Sequence, residues 1–156
     1  CYGMQLSVVG FARDILGWKD ANTTENDKKT KHPVIHLMPK QKKFMQKRAY
    51  GGTMRLGSWE AKVIRGTRAY EIYKKELTSE RHRHRYEFNN EYLADFEKKG
   101  MVFSARSEVE NLVEIIELPE KAHPFYMATQ GHPEYKSRPL SPHPLFLAFI
   151  KAASKS

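Results

Sequence analysis

The first seventeen residues constrain the fold most, because they predict an amphipathic helix that opens on the only cysteine of the chain. Gly17 follows at the position where such a helix commonly ends. A thiol in its first turn faces unpaired backbone N–H groups and the positive end of the helix dipole, which both favour the nucleophilic thiolate. On these residues alone, however, Cys1 is better interpreted as a small buried residue. The apolar positions of the predicted face are Met4, Val8, Phe11, Ala12 and Ile15.

The length and the cysteine count limit the classes of protein that this chain can represent. A chain of 156 residues is about one domain and is long enough to bury a core. A single cysteine excludes an internal disulfide and suits a reducing compartment, so we expect a cytoplasmic protein. No apolar run reaches the length of a membrane span, and we expect no membrane partner. Because the sequence opens mid-motif without an initiator Met, we expect a fragment that lacks its upstream part.

The net charge of +9 leaves open a non-catalytic module that binds a polyanion such as RNA. The excess lies mainly in the loop-like stretch 28–48 and in the Arg-His-Arg-His-Arg run 81–85. A charge run of this kind is more often a solvated surface, and no nucleic-acid-binding sequence pattern is present, so we expect no nucleic-acid partner. His82 and His84 share one face of a predicted strand, but without a second thiol or a nearby acidic pair they predict hydrogen-bonded or surface residues rather than a metal site.

The rest of the chain alternates between short strand and helix patterns, which predicts an α/β fold. The segment 124–129 is nearly all apolar, as expected of a buried strand. The other predicted strands cover 59–64, 101–105 and 112–118, and the predicted helices cover 70–73, 90–99 and 144–153.

The sequence Gln-Gly-His-Pro-Glu follows directly after the apolar segment 124–129. In open α/β sheets the functional residues commonly follow the carboxyl end of a strand. The spacing of His132 and Glu134 lets the carboxylate reach one ring nitrogen, which leaves the other nitrogen to take a proton from a nucleophile. Cys1 is the one candidate nucleophile of this type, so the three residues predict an acyl-transfer triad.

Several segments in the same order resemble the class I, triad-type glutamine amidotransferases, and in particular the C-terminal glutaminase domains of CTP synthases. The resemblance implies an open sheet flanked by helices, of the flavodoxin-like or α/β-hydrolase-like type. It also implies that residues 1–156 are the C-terminal portion of the amidotransferase domain, without its first part and without the synthetase domain. The matching segments are CYGMQ (1–5), GGTMRLG (51–57), ERHRHRYEFNN (80–90), LVEIIELP (112–119), HPFYMATQGHPEYKSRP (123–139) and HPLFLAFIKAA (143–153).

The resemblance assigns roles to single residues. Cys1 would attack the side-chain amide of L-glutamine, with His132 as base and then acid and Glu134 orienting the imidazole. The backbone N–H of Tyr2 would stabilise the oxyanion. Arg85 would pair with the α-carboxylate and Glu25 with the α-ammonium of glutamine. The complete set implied for glutamine binding is Tyr2, Gly3, Met4, Gln5, Glu25 and Arg85.

For the whole enzyme the resemblance implies that ammonia passes to a synthetase domain of the same polypeptide for the ATP-dependent amination of UTP to CTP. ATP and Mg²⁺ would bind in that absent domain, no cofactor or metal is expected in this segment, and the full enzyme would be a homotetramer. GTP would activate it allosterically near a lid formed by Gly51, Gly52 and Arg55, in which Arg55 is the expected partner of a phosphate or carboxylate.

The sequence departs from the family pattern at two positions of the predicted site. Gly131 replaces the usual Phe before the catalytic His, which predicts a less firmly held His132. Tyr2 replaces the usual Leu, which should be harmless because the donor there is a backbone group. An alternative is an N-terminal-nucleophile amidotransferase, in which the α-amine of Cys1 would serve as base.

Overall fold

The computed structural model describes residues 1–37 and 54–154. Short 3₁₀ turns at Asn90–Tyr92 and Pro133–Tyr135 add to the regular elements of this part. The helices are α1 (Tyr2–Asp14), α2 (Arg68–Tyr73), α3 (Leu93–Lys98) and α4 (Pro144–Ala153). The strands are β1 (Asn22–Thr23), β2 (Pro33–Leu37), β3 (Arg55–Val63), β4 (Leu77–His84), β5 (Tyr86–Phe88), β6 (Val102–Ser107), β7 (Val113–Glu117) and β8 (Met127–Thr129).

A five-stranded sheet in the order β4-β3-β6-β7-β8 carries the architecture, and all its neighbours run antiparallel. A smaller sheet, β1-β2-β5, pairs β1 with β2 in parallel. Apolar cores lie on both faces of the larger sheet, because consecutive residues of a strand point to opposite sides. Ile116 packs in the core beneath α1 and α3, and Ile115 in the core beneath α2 and α4. The predicted α/β fold with helices against the sheet is confirmed.

Helix α1 follows the predicted apolar face closely. Met4, Val8 and Ala12 are buried, as is Val9, which widens the packed face. The helix ends through Gly17, whose positive φ of 78° allows the Trp18 N–H to return to the carbonyl of Ala12. Ile15 was predicted on the buried face but is 51% exposed, because the helix already ends at Asp14.

Two strand predictions need correction. The predicted buried strand 124–129 is shortened to β8, which is the edge strand of its sheet and only half-buried. Pro124 cannot donate a backbone hydrogen bond, and a turn at residues 119–123 precedes it. The loop-like stretch 28–48 contains strand β2, whose Ile35 is fully buried. Its remainder from residue 38 onwards lies outside the described residues, as do Gly51 and Gly52 of the predicted lid.

A cluster of five buried ionisable side chains joins β3, β4, β5 and β7; we call it the buried ionic cluster. One oxygen of Glu114 lies 2.5 Å from the Arg55 guanidinium, and the other lies 3.5 Å from Nε2 of His82. Glu87 lies 3.7 Å from Arg55 and 3.2 Å from Nδ1 of His84. The prediction of Arg55 in a lid loop is therefore wrong, because it begins β3 and is buried against protein carboxylates. His82 and His84 were predicted to be hydrogen-bonded or surface residues. Both are hydrogen-bonded, and both are buried.

The histidine hydrogen bonds have a defined direction. Nδ1 of His84 lies 3.2 Å from the Tyr86 carbonyl, which can only accept, so this nitrogen carries the proton. The neutral ring then accepts at Nε2, 2.9 Å from Nδ1 of His82. His82 must donate there, which leaves its own Nε2 without a proton and facing Glu114. A proton on Glu114 would complete this row of hydrogen bonds, because it could be donated to Nε2 of His82.

The electrostatics of the cluster agree with neutral histidines. Burial, followed by the Arg55 charge, lowers the pKa of His82 to about 2 and that of His84 to about 3. Burial raises the pKa of Glu114 to about 7 in spite of Arg55. Burial and the charge of Glu114 raise the Glu87 pKa well above its usual value. Both histidines of the buried ionic cluster are therefore neutral and the raised pKa values favour protonated carboxyl groups, whereas Arg55 remains a cation.

The turn between β8 and the second 3₁₀ turn packs tightly against β4. The His132 N–H donates to the Arg81 carbonyl at 2.8 Å, and the Gly131 N–H donates to Thr129 Oγ1 at 3.1 Å. A Cβ at residue 131 would lie 2.6 Å from the Cβ of Glu80, which is closer than real Cβ contacts. The structure thus differs from the expectation of a loosely held His132, because the glycine permits a close approach that a side chain would prevent.

We expect His84→Gln to reduce the loss of stability on acidification. The unfolded chain takes up a proton on His84 below about pH 6.5, whereas the folded chain does not until about pH 3. Stability is therefore lost as the pH falls below 6.5, and removing the group should recover up to about 1.4 kcal/mol per pH unit. Denaturant unfolding from pH 7 to 5 measures this difference. Exposed His123→Gln should leave the slope unchanged, and equal slopes for parent and His84→Gln would contradict the account.

We expect Gly131→Ala to destabilise the fold by about 1–3 kcal/mol, because the new methyl group forces the turn away from Glu80. Gly10→Ala is the matched control, since it lies inside α1 with no atom near the added methyl, and should be neutral or stabilising. Urea unfolding compares the two variants. A Gly131→Ala protein as stable as the parent would show that the close approach does not hold the turn.

Candidate active site

The amino end of α1 is joined to the end of β8 by two contacts. The Cys1 backbone nitrogen donates to the Thr129 carbonyl at 2.9 Å. Nε2 of Gln130 donates to the Cys1 sulfur at 3.1 Å. His132 follows two residues after Gln130, so the structure brings the thiol and the His132 turn to the same edge of the sheet.

The N-terminus of α1 also presents unpaired backbone donors. The first hydrogen bond of the helix runs from the Gln5 N–H to the Cys1 carbonyl at 3.3 Å. The N–H groups of Tyr2, Gly3 and Met4 precede this bond and have no acceptor within the helix. They belong to the three residues that directly follow Cys1, which is the N-cap of the helix. The Met4 side chain is 2% exposed and packs in the core, so only its backbone can contribute to a site.

His132 has the hydrogen bonding of a general base. Its Nδ1 lies 2.7 Å from Oε1 of Glu134, so the carboxylate accepts the Nδ1 proton. Nε2 is buried and has no hydrogen-bond partner among the described residues. Burial acts to raise the Glu134 pKa, but the hydrogen bond from His132, a backbone hydrogen bond and nearby positive charge together outweigh it and lower this pKa overall. The ring is therefore fixed in the tautomer whose Nε2 lone pair can take a proton.

The Cys1 nitrogen is not arranged as a base. It acts as a donor to the Thr129 carbonyl, a bond that a peptide N–H makes equally well. Burial lowers the pKa of this amine, and the Glu134 charge opposes that effect. The alternative of an N-terminal-nucleophile mechanism gains no support from this geometry.

A cavity of about 230 Å³ opens at the thiol and collects four of the predicted glutamine-binding residues. Glu25 and Arg85 bring opposite charges to it. Both charges act on the Tyr86 phenol, whose pKa is raised first by burial and then by Glu25, while Arg85 opposes the rise. The cavity is lined by Cys1, Tyr2, Gln5, Glu25, Met54, Arg83, His84, Arg85 and Tyr86.

The sequence interpretation missed some of these residues. Gln130 touches the thiol, but a single glutamine before a His-Pro-Glu segment carries no chemical signal by itself. Arg83 alternates with Arg85 along the chain, and the strict alternation of the basic run could have suggested that both share the cavity side.

Within residues 1–37 and 54–154, no group of three or more His, Cys, Asp or Glu side chains suits a metal ion. No helix of this part is long and apolar enough to cross a membrane.

Comparison with known proteins places the chain among characterised families. The sequence profile described as "Glutamine amidotransferase class-I" matches residues 1–152. The chain is 60% identical over 152 residues to the CTP synthase of Caldanaerobacter subterraneus subsp. tengcongensis and 57% identical over 155 residues to that of Pelotomaculum thermopropionicum. These matches cover 97% and 99% of the chain but only 27% and 28% of the relatives, so the chain spans little more than a quarter of their length.

A solved structure has the same fold. The structure described as "Trypanosoma brucei CTPS - glutaminase domain with bound acivicin" superposes with a TM-score of 0.89 at 35% identity. The match covers 99% of this chain and 58% of that one. Together with the profile match over nearly its whole length, this similarity shows that the chain belongs to the class I glutamine amidotransferase family.

Proposed function

We propose that this chain is the glutaminase part of a CTP synthase and hydrolyses L-glutamine through Cys1, His132 and Glu134. The observation that carries the proposal is the state of His132. One ring nitrogen is bound by Glu134, while the other is buried, unpaired among the described residues and on the turn that contacts the thiol. A buried basic nitrogen with no partner is costly unless a proton donor comes to it during a reaction.

The proposed reaction proceeds in two stages. Nε2 of His132 takes the thiol proton while the Cys1 sulfur attacks the side-chain carbonyl carbon of glutamine. The resulting oxyanion is stabilised by the Tyr2 N–H at the start of α1. His132 returns the proton to the leaving nitrogen, so ammonia departs and a glutamyl thioester remains. Water, deprotonated by His132, then releases glutamate and restores the thiol.

Charge complementarity supports glutamine as the substrate of the cavity. The Arg85 guanidinium can form a bidentate pair with an α-carboxylate, and Glu25 can pair with an α-ammonium. Both residues line the cavity that contains Cys1, and the buried Gln5 amide contributes a polar wall. In the proposed binding mode, these residues hold the two charged ends of glutamine and its side-chain amide reaches the Cys1 sulfur.

In the complete protein, we propose that residues 1–156 form the C-terminal portion of an amidotransferase domain. The ammonia passes to a synthetase domain of the same polypeptide, where UTP activated by ATP with Mg²⁺ is aminated to CTP. The assembly is a cytoplasmic homotetramer. The proposed formation of CTP is supported by the name CTP synthase of the relatives, of which this chain spans about a quarter.

We also propose a place for GTP as the allosteric activator. Arg55 is buried in its ion pairs and unsuited to a phosphate. A cavity of about 640 Å³ beside it offers Arg81 and Arg83 together with the Tyr135 ring, and borders Arg85 of the glutamine cavity. Guanidinium groups and an aromatic face suit the phosphates and the base of a nucleoside triphosphate.

Cys1→Ala in the full-length protein should abolish CTP formation from glutamine and spare formation from supplied ammonia, because only the thiol chemistry is lost. His132→Gln should show the same split with residual activity, since the backbone donors and binding remain. His123→Gln changes an exposed histidine and should retain both activities. A Cys1→Ala protein that uses glutamine at near the parent rate would disprove the nucleophile.

Arg85→Lys should raise KM for glutamine about tenfold or more with a smaller change in kcat, because a lysine cannot form the bidentate pair. The control Arg65→Lys alters an exposed arginine paired with Glu76 and should change neither constant. Steady-state glutaminase assays measure both constants. An unchanged KM for Arg85→Lys would remove this residue from the glutamine site.

A further inference from the structure

Gln130 contacts the proposed nucleophile, but the proposed reaction gives its side chain no role. Its side chain is fully buried, with 0% exposure, at the end of β8. Its backbone N–H donates to the Glu114 carbonyl at 2.8 Å, which fixes the residue to β7. The side-chain Nε2 donates to the Cys1 sulfur at 3.1 Å.

Packing alone does not explain a glutamine at this position. Its Oε1 is buried and has no hydrogen-bond partner among the described residues. An acceptor buried in this way destabilises the fold, and an apolar side chain of similar length would remove the cost. Methionine has that length and no strong acceptor, so stability would favour it over glutamine.

We infer that Gln130 is a further catalytic residue, whose amide N–H holds the Cys1 sulfur in place and stabilises its thiolate. The inference rests on the proposed function only in naming Cys1 as the nucleophile. A hydrogen bond is stronger when its acceptor is ionised, so the Nε2 contact favours thiolate over thiol. The same bond assists the second stage of the reaction, because the sulfur leaves as thiolate when water releases glutamate.

The fold holds the Gln130 side chain next to the Cys1 sulfur. The Cys1 nitrogen binds the carbonyl of Thr129, the residue before Gln130, so the backbones of the two partners are held in register. The Gln130 amide is therefore already positioned as a donor to the Cys1 sulfur before the reaction begins. A preorganised donor of this kind needs no rearrangement when charge develops on the sulfur.

The test measures the rate of iodoacetamide alkylation of Cys1 against pH in the full-length protein, by mass spectrometry of the peptide that contains it. Gln130→Met removes the donor at similar volume, and Gln130→Glu keeps the shape but replaces the donor by a carboxylate. Ser104→Ala is the control, because Ser104 is equally buried with an unpaired side-chain oxygen but lies on β6, outside the cavity that contains Cys1.

We expect the alkylation midpoint to rise by about one pH unit in Gln130→Met. In Gln130→Glu it should rise at least as far, because a carboxylate repels the thiolate. Ser104→Ala should keep the parent midpoint, and the thermal midpoint of Gln130→Met should be no lower than that of the parent. Gln130→Asn, which withdraws the amide by one methylene, should fall between parent and Gln130→Met and serves if either other variant fails to fold.

Unchanged midpoints in the Gln130 variants would overturn the inference, and so would an equal rise in Ser104→Ala, which would indicate general loosening of the fold. The outcome is separate from that of the proposed function. If Cys1→Ala retained glutamine-dependent activity, the nucleophile would be wrong while the alkylation profile still decided the Gln130 contact. If Cys1→Ala were inactive and the midpoints unchanged, only the Gln130 inference would fail.

Discussion

The contact between the amino end of α1 and the end of β8 is the interaction on which the proposed site depends. The two segments are separated by 128 residues in sequence, and a single main-chain hydrogen bond from Cys1 to Thr129 sets their register. That bond puts a helix N-terminus, with its unpaired N–H groups, beside the turn that carries His132. Together they bring the Cys1 thiol, the His132 turn and unpaired backbone N–H groups to one edge of the sheet.

The sheet beneath this contact supports it from both sides. Glu114 of β7 accepts the Gln130 N–H through its carbonyl, while its side chain belongs to the buried ionic cluster. Arg81 of β4 accepts the His132 N–H. Because strands hold backbone positions more firmly than loops do, a site anchored to strand carbonyls keeps its geometry with little reorganisation. Gly131 allows the turn to lie against β4 closely enough for these bonds to form.

Much of this organisation could be predicted from the sequence. The period of the α1 apolar face predicts its packing, and the spacing of His132 and Glu134 predicts their hydrogen bond, because both depend on local geometry. Arg55 could not be placed in this way, since its burial depends on carboxylates from β5 and β7, which are distant in sequence. The same holds for Gln130, whose contact with the sulfur exists only after β8 has met α1. Long-range contacts between polar residues leave no periodic pattern in a sequence.

The most direct test of the account is to trap the covalent intermediate. The full-length protein is mixed with L-glutamine and quenched in acid during steady-state turnover, and its peptides are analysed by mass spectrometry. We predict one added glutamyl group on the peptide that contains Cys1, and its loss on treatment with hydroxylamine, as expected of a thioester. Glutamine hydrolysis at the normal rate without this adduct, or with a glutamyl group on a different residue, would contradict the account.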